Sequence, residues 1–299
     1  MTNRLTVVIP TRPNIQNIHI FSLDVQTFQN FKVILMIDKV LTKEEFEDLK
    51  IQSLKFKNIS NKIYFVSNIN TDFIPQQVSY VRNYIKLVDT EFLNLFDDDE
   101  LFDSDYLQKT FDIRHEHKNY IQKDFVLTPT LMFRKTNIQS LFDYYNFRIS
   151  RPHAFQFKKD QKIGQIQMYS GNSLFGPTKI FQEILFDEKL DFVYEDLEFT
   201  YRIHKAYPIF VSSELLLYHM ERDKNILEHA WVSTYAAYRK AKHRMIFIKK
   251  NTKLEKIKFY LLFRAQPLWL SLKVLLYARR DEKFKIIWSI IKTLDGMKA

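Results

Sequence analysis

Glu91-Phe92-Leu93-Asn94-Leu95-Phe96-Asp97-Asp98-Asp99-Glu100 joins an apolar run to successive carboxylates. Phe92 to Phe96 reads as a short buried strand, and the acidic residues follow it without a spacer. Neighbouring like charges disfavour each other's ionisation. A chain that stacks them at a strand end therefore needs a compensating charge. A divalent cation supplies one, because hard cations take carboxylate oxygens. Ligands of open α/β sheets bind beyond the carboxyl ends of the strands, which is where these groups fall. Taken alone, an aspartate run is an ordinary solvated turn, so the flanking segments have to decide.

Upstream, Leu5-Thr6-Val7-Val8-Ile9 is an apolar run ended by Pro10, as in a buried parallel strand. Thr11 to Asn14 reads as a loop, and Ile15 to Phe28 is weakly helical. Phe31 to Ile37 is a second strand, stopped by Asp38. Thr42 and Glu45 form a capping box that starts a helix through about Leu49. Lys62 to Val66 is a third strand. Pro75 opens a helix whose Val78, Val81, Ile85 and Val88 share a stripe, with Arg82 and Asn83 off it.

Downstream, Ser104 can cap a helix from Asp105 to about His117. Phe125 to Leu127 and Thr130 to Phe133 read as strand pieces, and residues 140–165 as a mobile, aromatic-rich loop region. Ser170-Gly171-Asn172-Ser173-Leu174-Phe175-Gly176 holds two of only 4 glycines, which points to a close backbone approach or positive φ. Asp191 to Glu198 is a second acidic cluster, at the start of a helix that puts Leu197, Tyr201 and His204 on one face. Ile209 to Val211 and Leu215 to Leu217 lead to Tyr218-His219, and a further helix runs from Asn225 to Lys250. Strands alternating with helices over short connections predict an α/β domain with a mostly parallel sheet.

The chain has 299 residues, 46% hydrophobic and 15% aromatic, enough for a sizeable core. It has no cysteine, which excludes disulfides, thiolate metal sites and cysteine nucleophiles. Four glycines cannot build a Walker or Rossmann phosphate loop, so metal and side chains would have to hold any nucleotide phosphates. The amino terminus lacks the pattern of a secretory signal, which makes the expected location cytoplasmic.

The net charge of +10 is uneven. From Arg239 onward there are 17 lysines and arginines against 4 aspartates and glutamates, and the rest is close to neutral. Phe259 to Tyr277 is apolar but is interrupted by Arg264, Pro267 and Lys273, so it does not read as a membrane span. Phe284, Ile287, Trp288 and Ile291 opposite Lys283, Lys285 and Lys292 have the composition of a helix lying in a membrane interface. The same pattern also suits an ordinary amphipathic helix packed on a domain. The expected organisation is a catalytic domain over residues 1–225 and a helical, basic region over 226–299. The partner expected for that region is an anionic membrane surface at the inner face.

Taken together, these pieces resemble the family 2 glycosyltransferases of GT-A fold, over roughly residues 5–220. Val7-Val8-Ile9-Pro10-Thr11 resembles the opening strand and nucleotide-contacting turn, and Asp38 the acid that ends the second strand. Arg82-Asn83 resembles the Arg-Asn before the metal site, and Asp97-Asp98-Asp99 the Asp-x-Asp metal motif. Ser170-Gly171-Asn172 resembles the acceptor-side turn, Glu195-Asp196 the motif that supplies the base, and Tyr218-His219 the late histidine. Where the family usually has glycine, after the second-strand acid and after Arg-Asn, this chain has Val40-Leu41 and Tyr84-Ile85.

The resemblance implies an inverting transfer from a nucleotide-sugar donor to a glycan or lipid-linked glycan acceptor. It implies Mg²⁺ or Mn²⁺ held by Asp97, Asp99 and His219, with Asp196 as general base and Glu195 orienting it. Pro10, Thr11, Arg12, Asp38, Arg82 and Asp98 fall on the donor-binding side, and Gly171 and Asn172 on the acceptor side. Strand alternation also pairs Asp97 with Asp99 on one face. Two other classes compete. One is a sugar-nucleotide nucleotidyltransferase, disfavoured by the missing Gly-rich basic loop. The other is a non-catalytic nucleic-acid or membrane binder; nucleic acid is disfavoured because the tail's aromatics sit among many leucines and isoleucines.

Overall fold

The computed structural model describes residues 4–11, 20–37, 40–67, 82–98, 100–133, 144–146, 151–153, 157–169, 173–188 and 195–219. The chain divides into two units, Met1–Glu221 and Arg222–Ala299, and every described residue belongs to the first. The basic region over 226–299 lies outside the described residues. Among the described residues, no helix is long and apolar enough to cross a membrane.

The first unit is built on a nine-stranded mixed sheet. Its parallel half consists of β1 (Leu5–Thr11), β2 (Phe31–Ile37), β3 (Ile63–Ser67) and β4 (Phe92–Phe96), in the order β3-β2-β1-β4. Both faces of these strands are apolar, as in a sheet covered on both sides. Val7, Ile9, Val33, Leu35 and Phe96 join one core cluster; Val8, Ile34, Met36, Leu93 and Leu95 join the other. Pro10 does not end β1. Pairing with β4 stops at Val8 while pairing with β2 continues to Thr11, so Pro10 sits where one side of the strand is already free, the position a proline tolerates.

Helix α1 (Phe21–Asp24) is short. Helix α2 (Lys43–Ser53) carries the expected capping box: Thr42 accepts from the Glu45 amide and Glu45 from the Thr42 amide. Helix α3 (Tyr106–Lys118) starts one residue later than expected. Asp105 is its N-cap and makes no side-chain capping bond, while the Ser104 carbonyl accepts the Thr27 amide at 2.8 Å. Before it, β5 (Glu100–Phe102) leaves the acidic turn.

The second half of the sheet differs most from expectation. The two pieces around Pro129 are one strand, β6 (Val126–Phe133). Within 140–165, read as loop from the sequence, a two-stranded ladder pairs β7 (Tyr144–Asn146) with β8 (Arg151–His153), and β9 (Ile163–Ile166) joins the main sheet. β10 (Ser173–Pro177) inserts antiparallel between β4 and β6. Gly176 lies in it, where an added Cβ would stand 3.3 Å from the Phe125 carbonyl oxygen, so the glycine serves close approach. Helix α4 (Thr178–Glu183) follows, then α5 (Glu195–Ala206). α5 buries Phe199 and Ile203, while Leu197, Tyr201 and His204, placed on one face from the sequence, are half-buried. β11 (Ile209–His219) is a single strand with an irregularity between Ser212 and Leu216, parallel to β6 and antiparallel to β5 and β9.

Candidate active site

β4 ends at Phe96, and Asp97 and Asp98 lie in the turn beyond it, before β5 resumes at Glu100. The carboxylates therefore sit past the strand, and strand alternation cannot pair Asp97 with Asp99; Asp99 itself lies outside the described residues. The Asp97 amide donates to Glu100 Oε2 at 3.3 Å, and Glu100 is buried. Thr11, at the end of β1, donates through Oγ1 to Asp98 at 3.0 Å. These contacts tie the turn to the carboxyl ends of two adjacent parallel strands, the place where the topology of such sheets puts ligands.

Arg82 lies immediately before a 3₁₀ turn, Asn83–Leu87, and is 4% exposed. It is not a surface arginine. One guanidinium nitrogen donates to Asp97 and another to Glu195 at 3.1 Å, while the guanidinium carbon lies 5.3 Å from the centre of the Phe186 ring. A single buried cation thus joins the two acidic clusters picked out in the sequence.

The chain between those clusters is held by Asn83 and Arg202. Asn83 Oδ1 accepts the Phe186 amide at 2.7 Å, and its Nδ2 donates to the Phe186 carbonyl at 3.0 Å and to Glu188 at 3.1 Å. Arg202 donates to the Leu185 carbonyl at 2.6 Å and to Glu198 at 2.8 Å. Phe186 stacks on Phe199 of α5, with ring centres 3.7 Å apart. Residues 185–188 are therefore clamped between the 82–83 segment and α5, which brings the first turn of α5 to Arg82.

Glu195 and Asp196 open that turn. Asp196 is inside the helix rather than at its N-cap, and its Oδ1 accepts the Leu197 amide at 2.6 Å. Its pKa is pushed up to about 7, first by desolvation and then by repulsion from Glu195, with Arg82 opposing both. Burial pulls the Arg82 pKa down, but Asp97, Glu195 and Asp196 outweigh it, and the pKa is raised. A carboxyl that titrates near neutrality beside a fixed cation has the properties of a general base.

Other expected site residues fall as follows. Pro10 and Thr11 belong to β1, and Thr11 is engaged with Asp98. His219 ends β11, with its backbone in register with Glu100 of β5, so the late histidine and the acidic turn are neighbours in the sheet. The side chain of His219 and all of Arg12, Asp38, Gly171 and Asn172 lie outside the described residues. Glu100 was given no role in the sequence, and Asn83 was marked only as part of the Arg82-Asn83 pair, not as a latch. Glu100 stood in the acidic run and Asn83 beside Arg82, and only their buried hydrogen bonds give them a role.

Asp97 and Glu195 pair with Arg82, and Asp196 lies close enough to act on its charge; carboxylate oxygens of this kind are hard donors that match Mg²⁺ or Mn²⁺. Among the described residues, no three candidate ligands converge on one point. Asp97 is thus the described member of the expected set, together with the backbone position of His219.

No family model matches the chain, and no curated protein matches it in sequence. Comparison with solved structures does find relatives in shape. The fold is the GT-A nucleotide-diphospho-sugar transferase fold, with a large, curled α/β sheet. The crystal structure of S. aureus TarS residues 1–349 in complex with UDP-GlcNAc aligns over 97% of this chain and 81% of that one, at TM-score 0.55 and 17% identity. The complex of the same fragment with UDP aligns over 98% and 91%, at TM-score 0.51 and 16% identity. A longer TarS structure aligns at TM-score 0.52 and 17% identity, and the chain spans 55% of its length.

Proposed function

We propose that this chain is a family 2 type, inverting glycosyltransferase that moves a sugar from a nucleoside-diphosphate donor to a hydroxyl of a glycan or lipid-linked glycan. The observation that carries this reading is the Arg82 bridge from Asp97 to Glu195, beside an Asp196 that titrates near 7. It stands at the carboxyl ends of the parallel strands of a GT-A fold. TarS, similar in fold, is crystallised with UDP and with UDP-GlcNAc, which makes UDP-sugars the first donors to try.

In this mechanism Asp196 takes the proton of the acceptor hydroxyl. The acceptor oxygen bonds to the anomeric carbon from one side while the bond to the diphosphate breaks on the other, so configuration inverts. Glu195, held by Arg82, fixes the first turn of α5 and thereby orients Asp196. Arg82 places positive charge beside Asp97, where the departing diphosphate gathers negative charge. Asp97, Asp99 and His219 would hold Mg²⁺ or Mn²⁺, which when bound supplies Lewis-acid stabilisation of the leaving group. Thr11, Pro10, Arg12, Asp38 and Asp98 would line the nucleotide, and Gly171 and Asn172 the acceptor. The basic residues beyond Arg239 would dock the protein on an anionic inner membrane surface, where such acceptors are found.

The test is a donor panel. Purified protein is incubated with UDP-, GDP-, dTDP- and CMP-sugars, with Mn²⁺ or with EDTA, and nucleotide release is followed. Metal-dependent release of a nucleoside diphosphate, lost in Asp97→Ala and Asp196→Ala, is the expected result. Pyrophosphate release would point instead to nucleotidyl transfer. If no nucleotide binds or is released, the proposal fails.

A further inference from the structure

A second cleft lies at the opposite end of β4. It is lined by Glu91 and Phe92 at the start of that strand, by Arg114 and Lys118 of α3, by Asp124, and by Thr178 and Lys179 of α4, and it is an open cleft of about 470 Å³. β4 has its first residue, Phe92, at this cleft and runs into Asp97. Five residues at about 3.3 Å each separate the cleft from the acidic turn by roughly 16 Å. The cleft is therefore separate from the candidate active site, and the proposed mechanism does not use it.

Its charges are arranged around Asp124. Arg114 is buried beneath the rings of Phe92 and Phe125; it donates to the Phe125 carbonyl at 2.8 Å and to Asp124 at 3.2 Å. Lys179 reaches the other Asp124 oxygen at 2.7 Å. Lys118, exposed on the rim, adds a third cation. One carboxylate thus faces three cations. The two remaining acids at the cleft are already occupied: Glu91 pairs with Arg4, and Asp89 with Lys32. Thr178 is 4% exposed, and its hydroxyl finds no hydrogen-bond partner among the described residues. A buried hydroxyl left unsatisfied is costly and rare in proteins. Excess positive charge, an unused hydroxyl and a volume within the range of small-molecule pockets occur together here.

We propose that this cleft binds a small phosphorylated molecule, with its phosphoryl group between Lys118 and Lys179 and against Thr178. A guanidinium with two ammonium groups matches a phosphoryl group in charge, and charge-assisted hydrogen bonds of this kind are the strong ones. The cleft holds more than a single ion needs, so a phosphomonoester fits better than free phosphate.

Calorimetric titration of the full chain with glycerol 3-phosphate, inorganic phosphate and, at matched ionic strength, chloride tests this. No nucleotide is added, and a double variant tells binding at the cleft from binding at the candidate active site. Glycerol 3-phosphate is expected to bind at least as tightly as phosphate, and chloride not to bind. The double variant Lys118→Ala/Lys179→Ala removes two exposed side chains and leaves buried Arg114 in place. It is expected to weaken binding by about tenfold or more, the equivalent of ~1.4 kcal/mol, while Lys118→Arg/Lys179→Arg retains it. Donor turnover, if present, is expected to be unchanged in both.

The proposal is overturned if glycerol 3-phosphate does not bind the wild-type chain at about 10 mM, a concentration that would reveal even a millimolar Kd. It is equally overturned if the double variant binds as well as wild type, or if phosphate binds and glycerol 3-phosphate does not. Each of these results reads the cleft directly, whether or not the chain transfers a sugar.

Discussion

In the proposed mechanism Asp196 and Arg82 act as a pair of opposite charge, with Arg82 opposing the rise in the Asp196 pKa. Asp196 keeps its proton in the folded protein up to about pH 7, against 3.8 for an ordinary aspartate. The folded state therefore holds more protons than the unfolded chain between those values. The contribution to stability is complete below 3.8 and is lost as pH rises through 7. Replacement by asparagine should remove this slope, which urea unfolding at pH 5 and pH 8 would show. For turnover the sign reverses, because a base must be ionised. kcat/KM should rise with pH to a plateau above about 7, and Asp196→Asn should lower kcat by about 10²–10⁴-fold and abolish that rise. A full-rate asparagine variant would remove Asp196 from the mechanism. Arg82→Met should destabilise by about 3–5 kcal/mol, because Asp97 and Glu195 lose the buried cation between them. A loss below ~1 kcal/mol in denaturant titration would show that the bridge behaves like a solvated surface pair.

Between elements, the decisive contact is the Asn83 latch on residues 186–188. α5 does not reach the acidic turn by helix propensity; Asn83, Phe186 and Arg202 hold the segment that precedes it. Asn83→Ala leaves the amide and carbonyl of Phe186 without their side-chain partner, at about 1–3 kcal/mol for an unsatisfied buried group. The expected signature is coupling: a double-mutant cycle with Glu195→Gln should give an interaction above ~0.5 kcal/mol. Strict additivity would mean that the latch and the Arg82 bridge act independently. The same scale explains two features that no local pattern announces. α5 buries Phe199 and Ile203 because Phe199 stacks on Phe186, a partner 13 positions away in sequence that no helical stripe announces. The single strand β6 accommodates Pro129 because its register with β10 is confined to Leu127, leaving Pro129 laddered only toward β11, while Tyr169 donates its hydroxyl to the Pro129 carbonyl at 3.1 Å.

For the whole molecule, the basic segment is the part that a solution experiment can separate from the chemistry. A chain ending at Lys250 should lose affinity for anionic vesicles in a sedimentation assay, and retained binding would end the proposal of membrane docking. Attraction of this kind weakens with salt, so the full chain should release from vesicles as ionic strength rises.

The residues determine the parallel half of the sheet by themselves. Apolar runs of five to seven residues at Leu5, Phe31 and Phe92, stopped by Pro10, Asp38 and Asp97, read as strands covered on both faces, and the capping box at Thr42 is a local bond between residues three apart. The two acidic clusters were legible as charge runs at element ends, which alone read as solvated turns, and Arg82 was picked out through the family resemblance. Tertiary structure decided the rest. β10 enters antiparallel beside β4, and β9 joins β11, through partners far away in sequence, while β7 and β8 pair with each other. Whether Arg82 faced solvent or joined the two clusters depended on a fold that brings positions 82, 97 and 195 together. A hydrogen bond or ion pair across that distance leaves no periodicity in the chain, and so it can be read only in three dimensions.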